Sequence, residues 1–374
     1  MPSMRAFNSL RSTRKCNEHL EHWLAGQLPI IRQDLALKHQ HMGEAAFPFF
    51  RATFYRWLQV WPELCPDLMK TPRVLGVGDL HIENFGTWRD EEGRLIWGVN
   101  DLDEAWPAPY ALDLVRLTTS VYVAIEEEHL CLTKRVAAEA IEEGYRDAMA
   151  AGGKAFILAE DHRWLRLLAL GKLRDPVQFW NKLEHLPPYT AKPPEEVRKL
   201  LETSLPSAQK EYLLKRRIAG LGSLGHPRIL ALSRWRGAFI AREAKAIRPS
   251  AWVWAKMAGS MEIYCDKLVQ RSIRVPDPCV RFHGRWVVRR LAPDCSRIEL
   301  ASLSKDRDEA RLLYSMGWET ANMHFGTPQA IAKLRGDLAA RKGRWLHKAS
   351  KIMLAATLRD WEKWRRDARR AAPR

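Results

Sequence analysis

The chain has 374 residues, 46% of them hydrophobic, so it can bury a sizeable core and is long enough for two or three modest domains or one bilobal enzyme. Its six cysteines, at 16, 65, 131, 265, 279 and 295, form no Cys-x-x-Cys pair; they signal neither a zinc ribbon nor a redox motif and suit a reducing, cytoplasmic setting. The net charge of +17 invites a nucleic-acid reading or attraction of an anionic ligand, but the basic residues are spread along the chain without zinc-finger spacing or an RNA-recognition signature, and neither a secretory segment nor a membrane-length apolar run is present.

Residues 1–15 are basic and polar and are expected to be loosely ordered. A helical pattern follows from about residue 17 to 41, interrupted at Pro29. The aromatic stretch 47–60 sets Phe50, Phe54 and Trp57 at helical spacing, with Arg51 and Arg56 among them as expected surface ion pairs. An apolar run at 74–77 ends in Gly78 and reads as a buried strand; Asp79, His81 and Asn84 crowd the loop behind it. A second apolar run, 95–99, ends in Asn100, Asp101 and Asp103, and 89–93 between the two reads as a hairpin turn. Two strands thus each deliver carboxylates at one end.

Phosphoryl transfer asks a protein mainly for positioning and charge neutralisation. One carboxylate orients the attacking hydroxyl and accepts its proton, while a carboxamide and a second carboxylate hold magnesium, a hard ion that prefers oxygen. The kinase catalytic loop sets its Asp and Asn five positions apart and takes its metal-binding Asp from a later segment. Asp79 and Asn84 have that spacing, and Asp101 follows across the hairpin. Asp79 is therefore the candidate base, Asn84 and Asp101 the candidate metal ligands, and Asp103 an auxiliary one. The plainer alternative is that these acids are turn formers and helix caps. His81 either contacts substrate or shapes the loop, and Asp113 is expected to cap or tether it.

Gly78-Asp79-Leu80-His81-x-x-Asn84 resembles the catalytic loop of the aminoglycoside phosphotransferase and choline kinase-like superfamily, and 100–105 with Asp113-Leu114 is similar to its metal-binding segment. The fuller string from Gly78 to Gly86, ending Asn-Phe-Gly, resembles more closely a family of uncharacterised bacterial proteins of kinase-like character, over about residues 35–324. Those phosphotransferases often carry His two residues before the catalytic Asp, where this chain has Val77.

Helices are expected at about 110–127 and 133–150, the second ended by Gly152 and Gly153. Residues 155–183 also read as helical, 187–194 as a proline-rich loop, and 194–201 as a short helix. The segment 217–225 contains Gly220-x-Gly222-Ser223-x-Gly225, followed by a strand pattern rather than a helix. That context favours a glycine hairpin over ATP phosphates above a dinucleotide fingerprint, with an ordinary turn as the alternative. The next strand, 238–246, carries Arg242 and Lys245, which point to opposite faces, and one of them is expected to grip phosphate. Arg242, 17 residues after Gly225, is the first choice, although similar family members carry Lys there. Glu262, on a helix expected from 249 to about 269, is its candidate ion-pair partner. A hairpin around His283-Gly284 would lead to a hinge for adenine.

In ordinary kinases the glycine-rich lobe precedes the catalytic loop; here it comes second, which points to a circular permutation. The helix 306–324 would then return to the larger lobe, with His324 in a packing role, and the basic C-terminal helix would end exposed and amphipathic, open to a membrane surface or nucleic acid. The reading as a whole is an α+β, protein kinase-like bilobal fold with a helix-rich catalytic lobe at 1–205, a nucleotide-binding lobe at 206–298 and returning helices at 299–374. It binds ATP and magnesium and transfers the γ-phosphoryl group to a hydroxyl of a small molecule. The alternatives are a nucleotide-binding regulator or AMP-transferring pseudokinase, which Arg242 in place of Lys keeps open, and a basic nucleic-acid-binding protein.

Overall fold

A computed structural model describes residues 12–159, 161–171, 175–207, 211–256, 260–295 and 308–371. Most of the basic segment 1–15, and the boundary expected at 298–299, lie outside the described residues. The chain opens with four helices, α1 (Thr13–Ala25), α2 (Arg32–Glu44), α3 (Ala46–Ala52) and α4 (Phe54–Leu64). The aromatic stretch does not run through as one helix. It breaks at Thr53, whose hydroxyl donates to Phe49 O at 2.7 Å.

Two small antiparallel ladders follow. β1 (Arg73–Gly76) pairs with β4 (Trp106–Pro109), and β2 (Phe85–Arg89) pairs with β3 (Leu95–Val99), which also carries the short β5 (Phe156–Ile157). The central helix α5 (Tyr110–Glu126) is buried at every position from Tyr110 to Ala124. Its sequence has no polar stripe, and a helix apolar on all sides must be surrounded. Around it stand α6 (Lys134–Ala151), α12 (Asp308–His324) and α14 (Trp345–Ala371), in one continuous core with α1, α3 and α4. Helix α12 packs within this helical core. The end of α14 is amphipathic as expected: Arg359, Glu362, Arg366, Arg369 and Arg370 are exposed, while on its inner face Trp364 is buried against Phe49 and His39 and Asp360 takes Arg56 at 2.8 Å.

One helical region was expected at 155–183. The structure has instead β5, α7 (Arg163–Gly171) and α8 (Pro176–Glu184), then α9 (Glu195–Ser204). A five-stranded antiparallel sheet follows in the order β6-β7-β8-β10-β9, from β6 (Leu213–Arg216), β7 (Arg228–Trp235), β8 (Ala238–Ala246), β9 (Arg281–His283) and β10 (Trp286–Leu291). Alternation of side chains sorts its two faces. Ile229, Ala231, Ala244 and Val288 pack on Val197 and Leu201 of α9, while Leu230, Leu232, Ala241 and Leu291 pack on Phe179 and Leu183 of α8. The single helix expected from 249 is two, α10 (Ala251–Lys256) and α11 (Cys265–Arg271), with no helix at 260–264. α13 (Pro328–Ala340) joins the two long helices at the end of the chain. The protein is α+β, and among the described residues no helix is long and apolar enough to cross a membrane.

Helices α6 and α12 cross with their backbones in contact. A Cβ on Gly144 would lie 1.9 Å from Tyr314 O, and one on Gly317 2.1 Å from Ile141 O. Backbone cannot yield as a side-chain tip can, so Gly144→Ala and Gly317→Ala should each cost about 3 kcal/mol and lower the thermal midpoint. Gly336 of α13 meets nothing within 4 Å, so Gly336→Ala should instead gain up to about 1 kcal/mol from helix propensity. Thermal unfolding of the three variants checks both signs.

Candidate functional site

The two small ladders explain why the acidic loops meet. Pairing of β1 with β4 sets Gly76 opposite Trp106, so the loop leaving β1 runs beside the loop entering β4. Pairing of β2 with β3 sets Phe85 opposite Val99, and Asn100 N donates to Asn84 O at 2.8 Å. Asp79, Asn84, Asp101 and Asp103 are thereby brought to one cavity. The approach is close at Gly78, which has φ +87° and where a Cβ would stand 2.4 Å from Glu104 O; only glycine fits both demands.

Asp113 of α5 fixes the loop from below. Its carboxylate accepts from Val77 N at 2.6 Å and Gly78 N at 2.9 Å. His324 Nε2 lies 3.0 Å from the same carboxylate and its Nδ1 lies 2.7 Å from Tyr145 OH, both side chains being fully buried. The tether expected of Asp113 is present, and His324, expected to pack, backs it.

Asp79 points into the cavity with 19% of its side chain exposed. Arg116, also on α5, donates to Asp79 Oδ1 from Nε at 3.0 Å and Nη2 at 2.7 Å. The guanidinium lies 3.5 Å over the Phe50 ring and donates to Phe50 O at 2.7 Å, so it is locked in place. Among the described residues Asp79 Oδ2 has no partner. Burial pushes the Asp79 carboxyl up to about 6, against the opposing pull of Arg116. His81 Nδ1 accepts from Glu83 N at 3.2 Å, and Asn84 Oδ1 accepts from His81 N at 2.6 Å. Both side chains thus brace the turn Ile82–Asn84 while lining the cavity. Arg51 pairs with Glu83 at the cavity edge.

The facing wall is the α8 side of the five-stranded sheet. Lys245 sits there, ion-paired with Asp103 and 3.5 Å from Asp101. Arg242, the first choice, is on the other face, where its Nε donates to Ser204 O of α9 at 2.9 Å; of the two candidates it is Lys245 that faces the cavity. The reason is register. Lys245 pairs with Arg228, near the glycine turn, whereas Arg242 pairs with Ala231, a strand position farther on and one face over. Glu262 is corrected. It lies at 260–264, outside any helix, and pairs with Lys267.

Gly220, Gly222 and Ser223 line the cavity between β6 and β7. Gly220 has φ +75°, and Ser223 Oγ accepts from Arg228 Nη2 at 2.6 Å. Gly225 is not among the lining residues; it lies against Leu35, and its carbonyl accepts from Ile31 N at 2.9 Å. The glycine segment is therefore braced by α2.

Three residues escaped the sequence reading. Arg116 was visible as a lone cation within an apolar helix. Glu243, fully buried, gathers Arg217, Arg228 and Arg289 on the cavity side of the sheet and sits well below the usual carboxylate range: these cations outweigh its burial. Glu104 binds Arg248 and accepts from Ser250 Oγ at 2.7 Å and Ala251 N at 2.6 Å, which ties the acidic loop to the start of α10. Neither glutamate had a local signal, because its partners are distant in the chain.

The cavity holds about 220 Å³, and Val269, Val280, Phe282 and Leu291 give it an apolar flank. Among the described residues no three His, Cys, Asp or Glu side chains gather as a metal cage. Two carboxylates and a carboxamide are nonetheless hard oxygen donors of the kind magnesium takes, with its other positions left to water and phosphate.

These features define an α+β protein with a polar cleft between a helical body and an antiparallel sheet. A family described as an uncharacterized protein conserved in bacteria (DUF2252) has a model that matches residues 31–173. That span holds both acidic loops, Lys38, Asp113 and Arg116, and is shorter than the 35–324 expected, leaving out the glycine segment and Lys245. No curated protein and no solved structure matches the chain.

Glu243→Gln would leave three guanidiniums crowded without their counter-ion and should cost about 3–5 kcal/mol at neutral pH. Because the Glu243 carboxyl is depressed, its contribution is present above the ordinary glutamate range and is lost as pH falls through its folded value. The gap between wild type and variant should therefore narrow in acid, as read by denaturant unfolding at pH 7 and pH 3.

Proposed function

We propose that the cleft transfers the γ-phosphoryl group of ATP to a hydroxyl of a small molecule. The observation that carries this reading is Lys245 ion-paired across the cavity with Asp101 and Asp103 while Asp79 opens on the same space. Lys245 lies on the third strand of its sheet, after a glycine turn between the first two, which is the kinase order within that lobe. We read the fold accordingly as kinase-like with its lobes permuted. Lys245, rather than Arg242, faces the carboxylates, which supports phosphoryl transfer over the alternative of a nucleotide-binding regulator or AMP-transferring pseudokinase.

In this reading Asp79 Oδ2 orients the acceptor hydroxyl and takes its proton. The acceptor oxygen forms a bond to the γ-phosphorus, the bond from that phosphorus to the β–γ bridging oxygen breaks, and ADP leaves with that electron pair. Arg116 holds Asp79 in its rotamer through Oδ1, so the second oxygen stays available. Lys245 contacts the α- and β-phosphates, and the glycine turn covers them with backbone N–H groups. Asn84, Asp101 and Asp103 would hold magnesium, which supplies neutralisation of phosphate charge. The apolar flank of the cavity suits adenine.

Magnesium-dependent ATP protection against heating is expected in the wild type, reduced at least tenfold in apparent affinity by Asp101→Ala and by Lys245→Met. Asp79→Asn should keep that protection and lose turnover by 100-fold or more in a labelled-ATP screen of hydroxyl acceptors. Absence of ATP protection in the wild type would sink the proposal. A base must be ionised to work, so kcat/KM should rise with pH through about 6 and then level off, following Asp79 in the free protein.

A further inference from the structure

Lys38 of α2 is only 3% exposed, yet its side chain lines the cavity. Among the described residues its ammonium has no hydrogen-bond or ion-pair partner, and it is not among the polar atoms sealed away from solvent. The carboxylates that act on it most have partners of their own. Glu21 lies 2.6 Å from His39, Asp79 takes Arg116 at 2.7 Å, and Glu104 takes Arg248, Ser250 and Ala251. Burial lowers the Lys38 ammonium to about 8, with those carboxylates pulling the other way. An ammonium largely removed from water without a partner is costly to keep, and a packing role needs no charge. Arg248, also on the cavity wall, is a second cation near Lys38 but is already paired with Glu104, so Lys38 is the cation left to meet an incoming anion.

That anion is not the nucleotide. Its phosphates are served from the sheet side, by Lys245 and the glycine turn. Lys38 comes from the N-terminal helices, and Asp79 is among the carboxylates that act on it. Leu20, Phe54 and Tyr55 line the cavity from those same helices and leave room for a short carbon chain. Resting on the phosphotransferase reading above, we propose that Lys38 anchors an anionic group of the acceptor, a carboxylate or a phosphate. The substrate class is then a hydroxy acid or a phosphorylated alcohol, with its hydroxyl presented to Asp79. A neutral polyol or a cationic aminoglycoside would leave Lys38 unpaired.

The test is calorimetric titration of the full chain with malonate and with inorganic phosphate, each with and without magnesium and a non-hydrolysable ATP analogue. Wild type should bind at least one anion with the analogue present, and which one separates carboxylate from phosphate. Lys38→Met should weaken that anion at least tenfold, Lys38→Arg should restore it to within about threefold, and both should hold the analogue within twofold of wild type. Lys245→Met should show the reverse pattern. The proposal is overturned if wild type binds neither anion, if Lys38→Met binds them unchanged, or if it loses the analogue as Lys245→Met does. The thermal midpoint of ligand-free Lys38→Met should stay level or rise; a marked drop would make Lys38 a structural residue and also overturns it. If wild type binds no ATP analogue, the phosphotransferase reading fails, while the nucleotide-free titrations still decide whether Lys38 holds an anion.

Discussion

The loop that carries Asp79 stands on one buried carboxylate. Asp113 accepts from two consecutive backbone amides and is itself held by His324, with no solvent to compete. A hydrogen bond to an ionised acceptor in such surroundings is worth more than a neutral one. Two adjacent amides aimed at one carboxylate also fix the peptide plane, and so the direction in which the next residue leaves. That direction takes Asp79 into the cavity and Gly78 under Glu104. The fully buried helix α5 supplies the fixed platform, since it is packed on every side and cannot rotate without breaking the core.

The same logic governs the facing wall. The cleft surface of the sheet carries Arg228, Arg289 and Lys245 close together, and like charges so placed repel. Glu243 at the centre of the first two, and Asp101 and Asp103 opposite the third, balance them. The pairing differs in kind. Glu243 is fully buried and permanently engaged, so its role is to hold arginines in place. Asp101 is about half exposed, so its pairing with Lys245 is one that water, a metal ion or phosphate can replace.

Much of this was legible in local sequence. Both acidic loops, the hairpin between them, the strand after the glycine turn and strand β8 follow from apolar runs ended by glycine or polar residues. The choice between Arg242 and Lys245 was not, because it depends on which face of β8 meets α8 rather than α9, and the strand's alternation is the same either way. Glu262 failed for a different reason: a helix expected to be continuous is broken, so its periodicity could not be carried through. Arg116 could have been found, since a charged residue within 110–124 of an otherwise apolar helix must have a partner nearby. Lys38 could not. Its helix has exposed and buried charges in succession, and only the tertiary packing distinguishes them.

Asp79 and Arg116 show what the site costs the fold. Raising a carboxyl from 3.8 to about 6 means that ionised Asp79 at neutral pH destabilises the folded state by about 3 kcal/mol relative to an unperturbed one. Arg116 already offsets part of the burial penalty, and it is held besides by Phe50 O and the aromatic faces around it. That attraction is already contained in the figure of about 3 kcal/mol, so the pair is not there for stability. An apolar pair of the same volume would serve packing better. What an apolar pair could not do is hold one carboxylate oxygen rigid while leaving the other facing the cavity with a proton affinity close to that of its working surroundings.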